Sequence, residues 1–268
     1  MPRQYSYATE AIILRHSAVG ETDRLVTLYS KNYGKMRAFA RGVRKPHSKL
    51  SGHLEPLNQV NLLITQGRNL PLITQADMIE GFYTPSTNFE TIVSGCYVAD
   101  CLDAFTVEEV ENQPLYSLAC RQFKQVQSVA NIQTQLRFFE LQLLTMSGYQ
   151  PEVNVCLYCR NPPERHSIYF SFEAGGILCQ DCKNQFDCFG ISETSTKALR
   201  YLLMATTGDA QKIRMPEAVQ KELAHVLTNY LQYIIDRRLQ SLLFYRRLEK
   251  WESTAVANLK TISGRKST

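Results

Sequence analysis

Four cysteines constrain this 268-residue chain more than any other feature. Cys156, Cys159, Cys179 and Cys182 form two Cys-x-x-Cys pairs with nineteen residues between them. Each pair allows a tight turn to aim two thiolates at one point, and two such turns supply the four soft ligands of a closed tetrahedral zinc site. The intervening stretch suits a hairpin. Tyr169, Phe170 and Phe172 are strand formers, and Gly175-Gly176 marks a turn just ahead of the second pair. A redox pair or ordinary buried thiols would explain one Cys-x-x-Cys, but two at this spacing point to metal. Cys188, just past the second pair, is a substitute ligand in principle. Cys96, Cys101 and Cys120 fall in apolar helical patterns and read as core.

The rest of the composition is that of an ordinary globular protein: 44% hydrophobic and 21% charged residues, with no apolar run near eighteen residues. No basic segment followed by an apolar one opens the chain, so the expectation is a soluble, cytoplasmic protein. Cysteines grouped as a metal set agree with a reducing compartment. The net charge of +5 is unevenly spread. Residues 1–82 carry 11 Lys+Arg against 6 Asp+Glu, residues 83–150 carry 3 against 7, residues 151–188 carry 3 against 5, and residues 189–268 carry 13 against 7.

Between Ala8 and Gly81, short strand-like runs alternate with turns. The runs are Ala11 to Arg15, Arg24 to Ser30, Lys35 to Arg41, Asn58 to Thr65 and Leu70 to Met78. Five such strands predict an OB-type barrel over 1–82, with an SH3-like barrel as the alternative. The period then becomes helical. Thr87 and Glu90 read as a capping box, followed by Phe89, Ile92, Val93, Cys96 and Tyr97 on one face. Further helices are predicted from Pro114 to Val129 and from Ile132 to Ser147, the latter stopped by Gly148. Helices resume beyond Ser192, ending in a long one from Pro216 to about Lys250 with a stripe of Leu223, Val226, Leu227, Tyr230, Leu231, Ile234 and Leu242. The fold class is therefore α+β: a barrel, a helical domain in two parts (83–150 and 189–250), and the cysteine segment 151–188 inserted between them. The Ser-, Thr- and Lys-rich tail 251–268 reads as disordered.

Between Lys31 and Leu54 stand seven cations, Lys31, Lys35, Arg37, Arg41, Arg44, Lys45 and Lys49, and no acid. In the strand from Lys35, period-two alternation puts Lys35, Arg37, Phe39 and Arg41 on one face and Met36, Ala38 and Ala40 on the other. Cations with an aromatic ring suit a nucleic-acid strand: the cations hold phosphates, and the ring offers a stacking surface indifferent to base identity. The bland alternative is a solvated face with a flexible loop.

At these residues the chain resembles the bacterial RecO recombination mediators. The likeness is carried by Gly20-Glu21-Thr22-Asp23-Arg24-Leu25-Val26-Thr27-Leu28-Tyr29-Ser30, by Ala40-Arg41-Gly42-Val43-Arg44-Lys45, by Leu54-Glu55-Pro56-Leu57, and by Gly175-Gly176 before Cys179-Gln180-Asp181-Cys182. It runs through the whole chain in domain order. The resemblance implies an OB-fold, a helical domain and an inserted zinc segment. It also implies a non-enzymatic role: binding single- and double-stranded DNA, annealing complementary strands and, with RecR, helping RecA displace single-stranded DNA-binding protein. By matching positions it assigns DNA contact to Arg24, Lys35, Arg37, Arg41, Arg44 and Lys45, with Phe39 and Lys49 joining them from the charge and strand pattern. It assigns structural zinc to the four cysteines. For the acidic C-terminal tail of single-stranded DNA-binding protein, Arg237 and Arg238 on the last helix are weak candidates, and a solvated helix face is the stronger reading of them.

No nucleotide-binding glycine loop is present, which fits annealing without ATP. His53-Leu54-Glu55 reproduces the His-x-Glu element of zinc deaminases, with Cys156-x-x-Cys159 as a possible pair of further ligands. That reading strands the second cysteine pair and spans a change of structural class. A zinc-ribbon protein-interaction or transcription adaptor is the non-catalytic alternative. His16, His166 and His225 lack mutual spacing for a site and read as structural or solvent-facing.

Overall fold

The structure is a computed structural model, and it describes residues 5–67, 69–84, 87–128, 131–164 and 167–241. The five expected strands are present as β1 (Ser6–Val19), β2 (Asp23–Ser30), β3 (Gly34–Ala40), β4 (Gln59–Thr65) and β5 (Leu72–Glu80). They close a barrel in the order β1-β2-β3-β5-β4. β1 pairs antiparallel with β4 through its first half and with β2 through its second, while β3 and β5 meet in parallel at Phe39 and Leu72. This closed five-stranded arrangement is an OB-fold, which decides against the SH3-like alternative. β1 is longer than the apolar run Ala11 to Arg15 implied, because a strand that serves two partners in succession needs length for both.

Alternation explains the interior. Ala11, Ile13, Val26, Leu28, Met36, Ala38, Ala40, Val60, Leu62 and Ile64 point inward and are buried. The outward residues Ile12, Leu14, Tyr29, Leu57 and Phe82 belong to a second core shared with the helices. Thus one flank of the barrel is a packing surface.

The helices are α1 (Phe89–Phe105), α2 (Gln113–Ser128), α3 (Ile132–Met146), α4 (Glu193–Met204), α5 (Thr207–Lys212) and α6 (Glu217–Ile235), with α1 packed on β1. α3 packs against all five others and is buried around its circumference, as a central helix must be. Its Arg137 and Glu140 form a buried ion pair at 2.7 Å, with the Tyr97 hydroxyl donating to the same carboxylate. Burial pushes Glu140 up to about 7, against the pull of Arg137 and Tyr97.

Three expectations need correction. The buried face of α1 is Thr91, Ser94, Gly95, Tyr97, Val98, Ala99, Cys101 and Leu102, while Phe89 and Cys96 are exposed and Ile92 and Val93 half-buried. α1 lies directly on the barrel, where a Cβ at Gly95 would come within 2.5 Å of Phe82 and 2.8 Å of Leu57, so small residues take the contact. The start of α1 is capped by Asn88, whose side chain accepts from the Thr91 N–H at 2.8 Å; the Thr87 hydroxyl accepts from Thr84 instead. Finally, α6 ends at Ile235, with Asp236 in the left-handed conformation at φ 49. Arg237 and Arg238 are exposed in the turn beyond it, so they do not share a helix face. Val129, His166, Leu242 and the tail lie outside the described residues.

The cysteine segment forms a small sheet of β6 (Ile168–Ser171), β7 (Gly176–Cys179) and β8 (Phe189–Gly190), in the order β7-β6-β8. Its inner side is bound to α6 by aromatic contacts of Phe170 and Phe172 with Tyr230.

Candidate nucleic-acid interface and metal centre

The loop after β3 is built, not loose. The Gly42 N–H donates to Asp23 Oδ1 at 2.8 Å and the Arg44 N–H to the Thr22 carbonyl at 2.9 Å, tying the loop to the turn between β1 and β2. Val43 and Leu54 plug into the barrel core. The Asn58 amide donates back to Gly52 and His53 carbonyls. Gly42 and Thr22 hold the Asp23 carboxyl below the usual range, and the nearby charges of Arg41 and Lys45 act in the same direction.

This framework sorts the cations. Arg41, Arg44, Lys45 and Lys49 are exposed and have no ion pair among the described residues. Lys49 also borders a groove of about 640 Å³, shared with His53, Thr74, Gln75 and Asp77 of β5. The strand cations differ. Lys35 points outward as alternation requires, but its Nζ donates to the Asp103 carbonyl at 2.7 Å and lies 3.4 Å from the Asp103 carboxylate, leaving 14% of the side chain exposed. Arg37 pairs with Glu108 at 3.0 Å and stays 47% exposed. Arg24 binds Glu55 at 2.9 Å, with His16 on the other oxygen. Burial raises the Glu55 carboxyl, but the Arg24 and His16 bonds outweigh it and hold the group below its ordinary value. Phe39 is half-buried where β3 meets β5.

The structure thus leaves four of the eight sequence-derived candidates exposed on one loop, outside any ion pair among the described residues, and anchors Lys35, Arg37 and Arg24 on carboxylates. The residues that sequence reasoning missed are Asp103 and Glu108. They lie 68 and 71 positions along the chain from Lys35 and Arg37, and their only trace was the acidic excess of residues 83–150.

The four cysteines converge. Their Sγ atoms lie within 4.8 Å of one another, with Cys159 and Cys179 at 3.8 Å, and all are free thiols. Four thiolates around a tetrahedral zinc at about 2.3 Å would stand about 3.8 Å apart, so the donor set fits such an ion. Cys156 and Cys182 are buried, Cys179 half-buried and Cys159 exposed. Burial pushes the Cys156 thiol up, but N–H groups of Cys159, Cys179 and Tyr158 aimed at its sulfur prevail and bring it to about 6. Burial and the three neighbouring sulfurs push Cys182 to about 12. Four clustered thiols therefore resist ionising together unless a cation sits among them. Cys188 stands apart, donating to the Lys183 carbonyl at 3.1 Å. His53 accepts from the Met78 N–H, and among the described residues the four cysteines alone converge as potential metal ligands. The deaminase reading loses its histidine.

No helix among the described residues is long and apolar enough to cross a membrane. An OB barrel with a stapled basic loop, joined to helices that carry a four-cysteine hairpin, defines a class of nucleic-acid-binding proteins. Family comparison narrows the class. Residues 3–82 match the family described as "Recombination protein O N terminal", and residues 86–243 match "Recombination protein O C terminal". The chain is 35% identical to the DNA repair protein RecO of Roseiflexus sp. (strain RS-1) over 90% of this chain and 86% of that protein. It is 30% identical to that of Desulforamulus reducens over 91% and 95%, and 28% identical to that of Dehalococcoides mccartyi (strain ATCC BAA-2266 / KCTC 15142 / 195) over 93% and 99%. The chain belongs to the RecO family of DNA repair and recombination proteins.

Proposed function

We propose that this chain is a non-enzymatic recombination mediator whose DNA surface is centred on the loop rather than on strand β3. Arg41, Arg44, Lys45 and Lys49 bind phosphates of single- and double-stranded DNA, with Arg37 and Phe39 at the margin and Lys35 and Arg24 holding the framework. The observation that carries this reading is four exposed cations held in no ion pair among the described residues, on a loop fastened by Asp23 and Thr22. A cationic surface lowers the repulsion between two phosphate backbones and leaves the bases free to pair, so it anneals complementary strands without ATP. With RecR, the protein helps load RecA onto DNA coated by single-stranded DNA-binding protein. Zinc on Cys156, Cys159, Cys179 and Cys182 holds the hairpin.

The test is annealing of complementary oligonucleotides without ATP at several salt concentrations, for the wild type and for Arg44→Glu/Lys45→Glu. Four single-strand phosphate contacts give a salt slope of about −3 in log K against log salt, and losing two brings it to about −1.4. The double variant should bind and anneal tens of times more weakly at low salt while unfolding at the wild-type temperature. Wild-type annealing by that variant would remove the loop from the mechanism and favour a ribbon-centred adaptor.

A further inference from the structure

The barrel has a second concavity beside the start of β1, whereas the basic loop is tied to the turn after the end of that strand. It encloses about 490 Å³, and its lining includes Tyr5, Tyr7, Tyr33, Pro71, Glu109 and Glu111, with no Lys or Arg among the described residues. The Tyr7 and Tyr33 rings stand 4.4 Å apart between centroids at 46°, and Tyr5 lies 6.2 Å from Tyr7 at 34°. Tyr5 is 67% and Tyr33 38% exposed, so ring surface that could have been buried is left open. The carboxylates come from the segment joining α1 to α2, which is strapped along β3. The Glu109 N–H donates to the Lys35 carbonyl at 2.9 Å, and Gly34 lets the Val110 backbone approach so closely that a Cβ would lie 2.0 Å from its carbonyl oxygen. Glu109 itself is held in the left-handed conformation at φ 62. Its carboxylate has no ion pair among the described residues, unlike Glu108 next to it, which holds Arg37. Glu111 accepts from Gln113 at 2.7 Å and has no ion pair among the described residues. Burial, then Tyr33 and Glu109, push the Tyr7 phenol up.

We propose that this concavity receives an arginine or lysine side chain presented by a partner protein. Aromatic faces attract a cation through their quadrupoles, and a planar guanidinium also stacks on them. Two carboxylates at the rim set the sign of the ligand: they attract a cationic side chain and repel a phosphate backbone, which separates this face from the basic loop. The tyrosines alone would suit bases of a single strand, and the carboxylates decide against that use.

The experiment is NMR on the full chain with three probes: the blocked peptide acetyl-Gly-Arg-Gly-amide, its norleucine counterpart and an eight-residue oligothymidylate. The arginine peptide should shift the ring resonances of Tyr5, Tyr7 and Tyr33 saturably, and the norleucine peptide should not. Glu109→Gln/Glu111→Gln, which alters only exposed side chains, should weaken the peptide by about tenfold, and Tyr33→Leu by a similar factor. Absence of a saturable shift would overturn the proposal. So would an oligothymidylate that moves the same rings more strongly, which would make the face a base-stacking surface. Arg3 precedes Tyr5 by two positions; if Arg3→Ala strengthens peptide binding, the chain's own terminus is the occupant and the partner version fails.

Discussion

The barrel and the cysteine hairpin are both built from short antiparallel strands, yet they are filled by different things. Inside the barrel, fourteen buried residues from Ala11 to Ala76 form a cluster of their own. At the cysteine end of the hairpin the corresponding cluster holds three, Cys156, Leu178 and Cys182, two of them metal-ligand candidates. The opposite side of that sheet, through Ile168, Phe170 and Ile177, belongs to the helical core. The barrel interior is filled by apolar side chains, and its surface charges are free to specialise. The outer hairpin has too little apolar area to stand by itself, so its charge chemistry is structural.

The sharpest way to break this contrast is to take the metal away. Apparent binding energies of structural zinc are about 10–16 kcal/mol, so Cys182→Ser should have the largest effect of any single change here. We expect one equivalent of zinc by elemental analysis in the wild type and in Cys188→Ser, and none in Cys182→Ser. Hydrogen exchange should show the Leu157 and Cys182 amides losing protection, since the Leu157–Ile177 and Cys182–Cys179 backbone bonds hold the knuckles together. The barrel amides of Val26 and Leu62 should exchange as before. Equal loss of protection in both regions would mean that the barrel depends on the hairpin.

A smaller effect tests the barrel's charges. Lys35→Met removes the bonds to Asp103 but leaves Arg15 on that carboxylate at 3.1 Å. The variant should lose about 1–2 kcal/mol of stability in urea, because a largely buried acceptor is left without its charged donor. Its annealing rate should match the wild type wherever it is folded. Lost annealing with unchanged stability would return Lys35 to the DNA surface and show that charge on β3 acts directly.

Lys35 also marks the limit of what the sequence makes legible. Alternation correctly told which way its side chain leaves β3, because strand periodicity is local. What it meets is not local: Asp103 arrives from α1, 68 positions later. The same limit misled the reading of α1, whose apolar residues at helical spacing suggested a face, while close approach to Phe82 and Leu57 selected Gly95. It also hid the end of α6, where Asp236 turns the chain without a glycine. The cysteine cluster needed no such knowledge, since ligand spacing encodes a short-range geometry. For the loop, the sequence showed the cations but not the staple that orients them.

That staple gives the smallest effect and the finest test. Asp23 accepts from the Gly42 N–H and the Thr22 hydroxyl, and these bonds, ahead of Arg41 and Lys45, hold its carboxyl below the usual range. A carboxylate with a depressed folded-state pKa stabilises the fold above the unfolded value, about 3.9, and loses that contribution as pH falls through the lower folded value. The Gly42 amide should therefore keep its protection from exchange, corrected for intrinsic rate, down to pH 4, and lose it only in more acid solution. In Asp23→Asn the side-chain oxygen still accepts but carries no charge, so protection should be slightly weaker at pH 7 and flat across the acid range. Loss of Gly42 protection well above pH 4 in the wild type would show that the carboxylate does not fasten the loop. The four cations would then be carried by a mobile segment, and the contrast between a barrel filled by apolar side chains and a hairpin gathered around four cysteines would stop at the barrel's strands.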